Sequence, residues 1–181
     1  RAVDFISRHR DGPFFLCLHH FAVHALHQAK PDLIAKFKDR PVAGGHHDPT
    51  YAAMIYSVDE SVGRVLAALD ELKLAEDTLV IYSSDNGGVG GYVREGIKPQ
   101  GQKEATDNAP LRGGKGMLYE GGIRVPYIFR WPGKTKAGTT CDEPINSVDL
   151  FPTLLEVTGA KGPAPSQVLD GISYVPLLRG E

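Results

Sequence analysis

The sequence predicts an α/β fold, a mainly parallel sheet flanked by helices, and three observations carry that reading. Short runs at 14–18, 78–83 and 125–131 are almost uniformly apolar, as strands buried on both faces of a parallel sheet must be. Between the first two, apolar side chains recur at steps of three and four, the period of an amphipathic helix. The order strand, helix, strand, loop, strand, helix is that of a parallel layer with crossover helices.

Taken in order, residues 1–10 read as the tail of a helix, with Val3, Phe5 and Ile6 apolar, and Asp11, Gly12 and Pro13 end it. The run FFLCL at 14–18 reads as a buried strand. Two cysteines, Cys17 and Cys141, allow one disulfide, yet Cys17 sits inside this apolar run, where a buried free thiol is the expected state. A polar, histidine-dotted excursion continues to His47. Asp48 before Pro49 predicts a helix start: the aspartate accepts from the first-turn N–H groups, and proline at the first helical position lacks an N–H that would have no partner. Tyr51, Met54, Ile55, Val58, Val62, Val65, Leu66, Leu69 and Leu72 form one apolar face of that helix, with Asp59, Glu60, Arg64, Asp70 and Glu71 on its solvated side. Strands follow at 78–83 and 125–131. The polar stretch 90–108 between them is too long for an ordinary connector and reads as an active-site loop or a mobile insertion. Residues 147–159 read as a helix that Asp149 caps, with Pro152 tolerated in the first turn and Gly159 as the stop.

Composition narrows the function classes. The chain has 181 residues, 41% hydrophobic and 23% charged, the balance of a globular domain of ordinary size. Twenty basic and twenty-two acidic residues give a net charge of −2, so no basic field exists to recruit nucleic acid or an anionic membrane. No apolar stretch approaches the ~20 residues that span a bilayer, and the N-terminus lacks a signal pattern. The chain starts at Arg1 without a methionine and reads as an excised piece.

Two runs carry chemistry. The first, TLVIYSSDNGG at 78–88, is apolar and β-branched until it delivers Asp85 and Asn86 onto a Gly-Gly turn, the way an open α/β sheet presents metal ligands at a strand's carboxyl end. The pair offers hard oxygens suited to Ca²⁺ or Mg²⁺, although Asp-Asn-Gly-Gly is also good turn chemistry. The second, LRGGKGMLYEGGIRVP at 111–126, delivers Lys115 between glycines, a point charge on bare backbone that an anion can approach closely. Together they suggest a metal-assisted site for a sulfate or phosphate ester.

YAAMI at 51–55, SVGRVL at 61–66, SDNGG at 84–88, GKG at 114–116 and YEGGIRVP at 119–126, with the stretch around His24 before them, resemble the calcium-dependent sulfatases of the alkaline phosphatase superfamily. The resemblance implies a partial alkaline-phosphatase-like α/β domain, with 1–181 a single fragment from the second half of the catalytic domain. It implies Asp85 and Asn86 as calcium ligands, Lys115 against the sulfate oxygens, and His24 holding the sulfate or protonating the departing oxygen. His24 departs from the family's usual His-Thr-Pro, being followed by Ala25 and Leu26. Family members use a formylglycine made from Cys/Ser-X-Pro-X-Arg, together with two further acidic metal ligands. Neither cysteine here opens such a motif, so the nucleophile is expected upstream. A sulfate-ester substrate, sulfated carbohydrate among the candidates, and an exported or periplasmic location are implied in the same way. Two other readings stay open: a phosphodiesterase or phosphonate monoester hydrolase of the same superfamily, and a non-catalytic binding domain of the same fold.

The remaining polar residues read as structural. No spacing forces His19, His20 and His27 into a metal cluster, His46 and His47 read as loop, and His9 as surface. Arg124 and Glu120 are expected to pair and fix the Lys115 loop, while Arg112 suits either an anionic substrate or the surface. Missing neighbouring strands would expose edges and apolar faces that favour self-association.

Overall fold

A computed structural model describes residues 1–164 and 166–181. Its elements are α1 (Ala2–Arg8), α2 (Pro31–Lys38), α3 (Pro49–Glu71), β1 (Val80–Ser83), α4 (Glu120–Ile123), β2 (Tyr127–Arg130), α5 (Leu150–Thr158) and α6 (Val175–Arg179). β1 and β2 pair as a two-stranded sheet. The chain divides into two compact units, Arg1–Ala75 with Ile81–Ile128, and Glu76–Val80 with Phe129–Glu181.

The first unit is organised on α3, against which α1 and α2 pack. Asp48 starts that helix as its sequence requires: its Oδ1 accepts from Thr50 N at 2.8 Å and Tyr51 N at 3.1 Å. Ala53, Met54, Ala68 and Leu69 form the buried stripe, joined by Ile6 of α1 and Leu33 of α2. Ile55, expected on that stripe, is 50% exposed. Phe37 meets Tyr56 edge-on at 5.9 Å, and Lys36 lies over the same ring.

In the second unit α5 packs on α6. Its N-terminus is capped by Asn146 rather than by Asp149. The Asn146 side chain accepts from Val148 N, while Asp149 reaches back to accept from Asn146 N at 2.7 Å, closing a capping box. A 3₁₀ turn at Ser147–Asp149 moves the start of the helical run upstream, so the cap falls one turn earlier than the residue pattern suggests. Gly159, left-handed at φ 64°, ends α5 as expected.

Two strand expectations need correction. Residues 13–20 form no strand; Phe15 is 72% exposed and Leu18 42%. A strand buried on both faces needs partners on its edges, and none is paired with this stretch. Cys17 is accordingly free but exposed, as is Cys141. β1 and β2 do form, yet both are half-buried with Tyr82 and Ile128 exposed, so the sheet is smaller and barer than uniformly apolar runs imply.

Candidate functional site

The site is assembled where β1 hands over to its glycine turn. Ser83 at the strand end donates to Pro126 O at 3.0 Å, and Ser84 donates to Asn86 O at 3.1 Å, bending the chain so that Asp85 and Asn86 stand at the tip. Main-chain bonds then lock this tip to the second glycine-rich run. Gly87 N donates to Gly122 O at 2.9 Å, Lys115 N to Gly88 O at 3.0 Å, and Gly121 N to Arg112 O at 2.7 Å.

The glycines make that seam sterically possible. A Cβ on Gly87 would collide with Gly121 O, one on Gly114 with Gly90 O, and one on Gly121 with Gly113 O. Gly113 also takes φ 72°, a left-handed conformation costly for other residues. On the Lys115 loop the two flanking glycines therefore differ. The space a side chain would fill at Gly114 is occupied by the carbonyls of Gly88 and Gly90, whereas Gly116 stands open.

A strap at 104–108, part of the long polar loop, closes over the seam. The two oxygens of Glu104 accept from Gly91 N at 2.9 Å and Tyr92 N at 3.0 Å. Thr106, 6% exposed, shares a hydrogen bond with His46 Nδ1 at 3.0 Å. Tyr92 donates its hydroxyl to Lys115 O at 2.7 Å; burial pushes that phenol's pKa up, and the Glu104 carboxylate pushes it the same way. Asn108 bridges two segments. Its Oδ1 accepts from Gly88 N at 3.0 Å, and its Nδ2 donates to Gly88 O at 3.0 Å and Gly113 O at 3.1 Å. Sequence reading did not single out Asn108, Glu104 or Tyr92. An asparagine placed just before an Arg-Gly-Gly run was the available signal, but its partner Gly88 is far off in sequence.

Asp85, Asn86 and Lys115 thus belong to one interlocked set of loops. Asp85 is exposed and makes no hydrogen bond or ion pair among the described residues, while Asn86 donates Nδ2 to Gly87 O at 2.9 Å, which turns its Oδ1 the other way. His24 is on a different segment: its Nδ1 bonds Ala25 O at 2.8 Å and its ring tilts against Phe21, contacts that do not tie it to the seam. Arg112 is held by Glu95, with Nε and Nη2 each 2.8 Å from Oε2, and lies 3.7 Å over the Tyr119 ring. Arg124 pairs with Glu120 across α4 at 3.2 Å. Among the described residues no three His, Cys, Asp or Glu side chains are grouped to hold a metal. His20 bonds Ser61 at 2.9 Å, and His27 Nδ1 lies 3.8 Å from Asp48. Two shallow clefts of about 280 and 240 Å³ border the Asp48 corner, sharing His47 and Ala105, and neither is lined by Asp85, Asn86, Lys115 or His24.

Solved structures of known proteins superpose on this chain. A crystal structure of Ps i-CgsB in complex with k-i-k-neocarrahexaose superposes with a TM-score of 0.81 at 36% identity, over 97% of this chain and 36% of that one. A phosphonate monoester hydrolase from Silicibacter pomeroyi superposes less well, with a TM-score of 0.54 at 29% identity over 74% of this chain and 22% of that one. The architecture and these likenesses define an α/β chain of the alkaline-phosphatase-like class. The family model described as Sulfatase matches residues 1–160, and the chain belongs to the sulfatase family. Steryl-sulfatase of Mus musculus is 41% identical over 180 residues, 99% of this chain and 27% of that protein. The chain therefore spans about a third or less of the length of these relatives.

Proposed function

We propose that the chain supplies one wall of a sulfate-ester hydrolase site. In this reading Asp85 and Asn86 give oxygens to a calcium ion, Lys115 faces the sulfate, and His24 holds the sulfate or protonates the leaving oxygen. One observation supports it above the others: the main-chain seam between the Asp85–Asn86 turn and the Lys115 loop.

The donor chemistry fits calcium in part. A free carboxylate and an amide oxygen are hard donors, and they supply two of the ~6–8 oxygens that calcium takes. When bound, the ion would polarise the sulfate oxygens. Lys115, anchored through its own N–H and C=O, can present its ammonium without a large ordering cost, opposing negative charge that grows on the ester oxygens. An imidazole at position 24 is the side-chain type suited to moving a proton near neutral pH. The long loop 90–108, whose strap closes the seam, is proposed to border the substrate. A sulfated carbohydrate is favoured by the k-i-k-neocarrahexaose held in one similar structure and by an N-acetylgalactosamine-6-sulfatase of Canis lupus familiaris, 32% identical. The name of the mouse relative keeps a sulfated sterol in view. An exported or periplasmic location goes with the family reading.

The test is turnover of 4-nitrophenyl sulfate by the full-length protein. Lys115→Ala and Asp85→Ala are each expected to lower kcat about 10²–10³-fold, the scale of removing one preorganised charge-stabilising group. Calcium chelation should abolish activity and added calcium restore it. Wild-type rates in both variants would overturn the assignment. Faster turnover of a phosphonate monoester than of the sulfate would move the reaction to the phosphonate hydrolase class, which the lower TM-score of that neighbour disfavours.

A further inference from the structure

We infer that Asn108 is a positioning residue for sulfate-ester hydrolysis, a clamp that sets the spacing between the Asp85–Asn86 tip and Lys115; the inference rests on the reading above. The argument starts from what its amide reaches. One planar group accepts from Gly88 N and donates to Gly88 O, two residues beyond Asn86, and donates as well to Gly113 O, two residues before Lys115. Gly88 and Gly113 carry no side chain, so beside the main-chain bonds of the seam the Asn108 amide ties these two points to each other.

The clamp is also placed where slack would matter. Gly88 O already accepts from Lys115 N, so the carbonyl that Asn108 grips is the one on which the lysine loop hangs. A Cβ at Gly114 would lie 3.0 Å from Asn108 Nδ2, so the glycine is what lets the amide sit this close to the lysine loop. Asn108 itself is fixed from its own side by the strap, because Asp107 Oδ1 accepts from Ala109 N at 2.9 Å and Thr106 is buried against Gly88 and Gly90. Loss of the Nδ2 bonds to Gly88 O and Gly113 O would leave the spacing of the lysine loop and the tip to the main-chain bonds alone. A misplacement of about 1 Å in a catalytic constellation can cost roughly 10²-fold in rate.

The experiment compares Asn108→Asp and Asn108→Ser in the full-length protein. The aspartate keeps volume and the acceptor for Gly88 N but lacks both N–H donors; the uncharged serine, one bond too short to reach the two carbonyls, separates loss of the bonds from the added charge. With rates normalised to folded molecules, both variants are expected to lose about 10²-fold in kcat on 4-nitrophenyl sulfate with KM changed less than about threefold. A second readout is calcium affinity by titration calorimetry, expected to weaken roughly tenfold, as when a residue supporting metal ligands is removed. Retention of kcat and calcium affinity in both variants, while Lys115→Ala is inactive, would sink the clamp and leave the functional reading intact. If Lys115→Ala is active too, the reading itself has failed. Loss of fold in both Asn108 variants would count against the inference, since it would make Asn108 a stability residue alone.

Discussion

Asp149 shows how one carboxylate can serve two segments. It accepts from Asn146 N in the capping box and from Ile172 N at 3.0 Å, and those two backbone donors hold its pKa below the ordinary aspartate value of 3.8. A lowered folded pKa means that the ionised form is favoured by folding. Its stabilisation is therefore present in full above the ordinary aspartate range and lost as pH falls through the lowered value. The gap in thermal midpoint between the wild type and Asp149→Asn should stay constant above about pH 5 and close in more acidic buffer; a gap independent of pH would exclude this carboxylate as the titrating group. At this scale the sequence was legible where bonding is local. Asp48 next to Pro49 announces itself because its partners, Thr50 N and Tyr51 N, are neighbours. Asn108 does not, because Gly88 is 20 residues upstream and only the folded backbone brings them together.

Among elements, α3 is the one that periodicity and capping jointly specified, and it formed from Pro49–Glu71. Replacing its cap, Asp48→Ala, strips two first-turn N–H groups of their acceptor and should cost about 1 kcal/mol in urea unfolding, with the slope against urea unchanged; no change in the midpoint would mean that water replaces the cap at no cost. The stretch 13–20 is the opposite case. Its apolar run reports that these side chains are suited to burial, but a pattern read along one segment cannot say whether paired neighbours exist. Paired strands are a property of the sheet, and among the described residues β1 and β2 form a sheet of two strands that does not include this stretch. The same limit explains why Cys17 was expected inside and lies outside.

Across the whole molecule, large apolar side chains remain uncovered: Phe21 is 79% exposed, Leu26 84% and Leu118 91%. Surfaces of this kind drive association in water. The isolated 181-residue chain is expected to sediment as concentration-dependent oligomers, and Phe15→Lys with Phe21→Lys to shift it toward monomer; a monodisperse monomer at all concentrations would remove the expectation. The same polypeptide has no Cys/Ser-X-Pro-X-Arg sequence, so it should leave aryl sulfates intact on its own. One last consequence follows from the collisions that Gly87, Gly90, Gly114 and Gly121 avoid. Where loops close through main-chain atoms and one inward-facing amide, the distance between them is indifferent to which side chains decorate their outer rims. Such a frame allows the residues that meet a substrate to be exchanged one at a time, with the reactive groups left where they were.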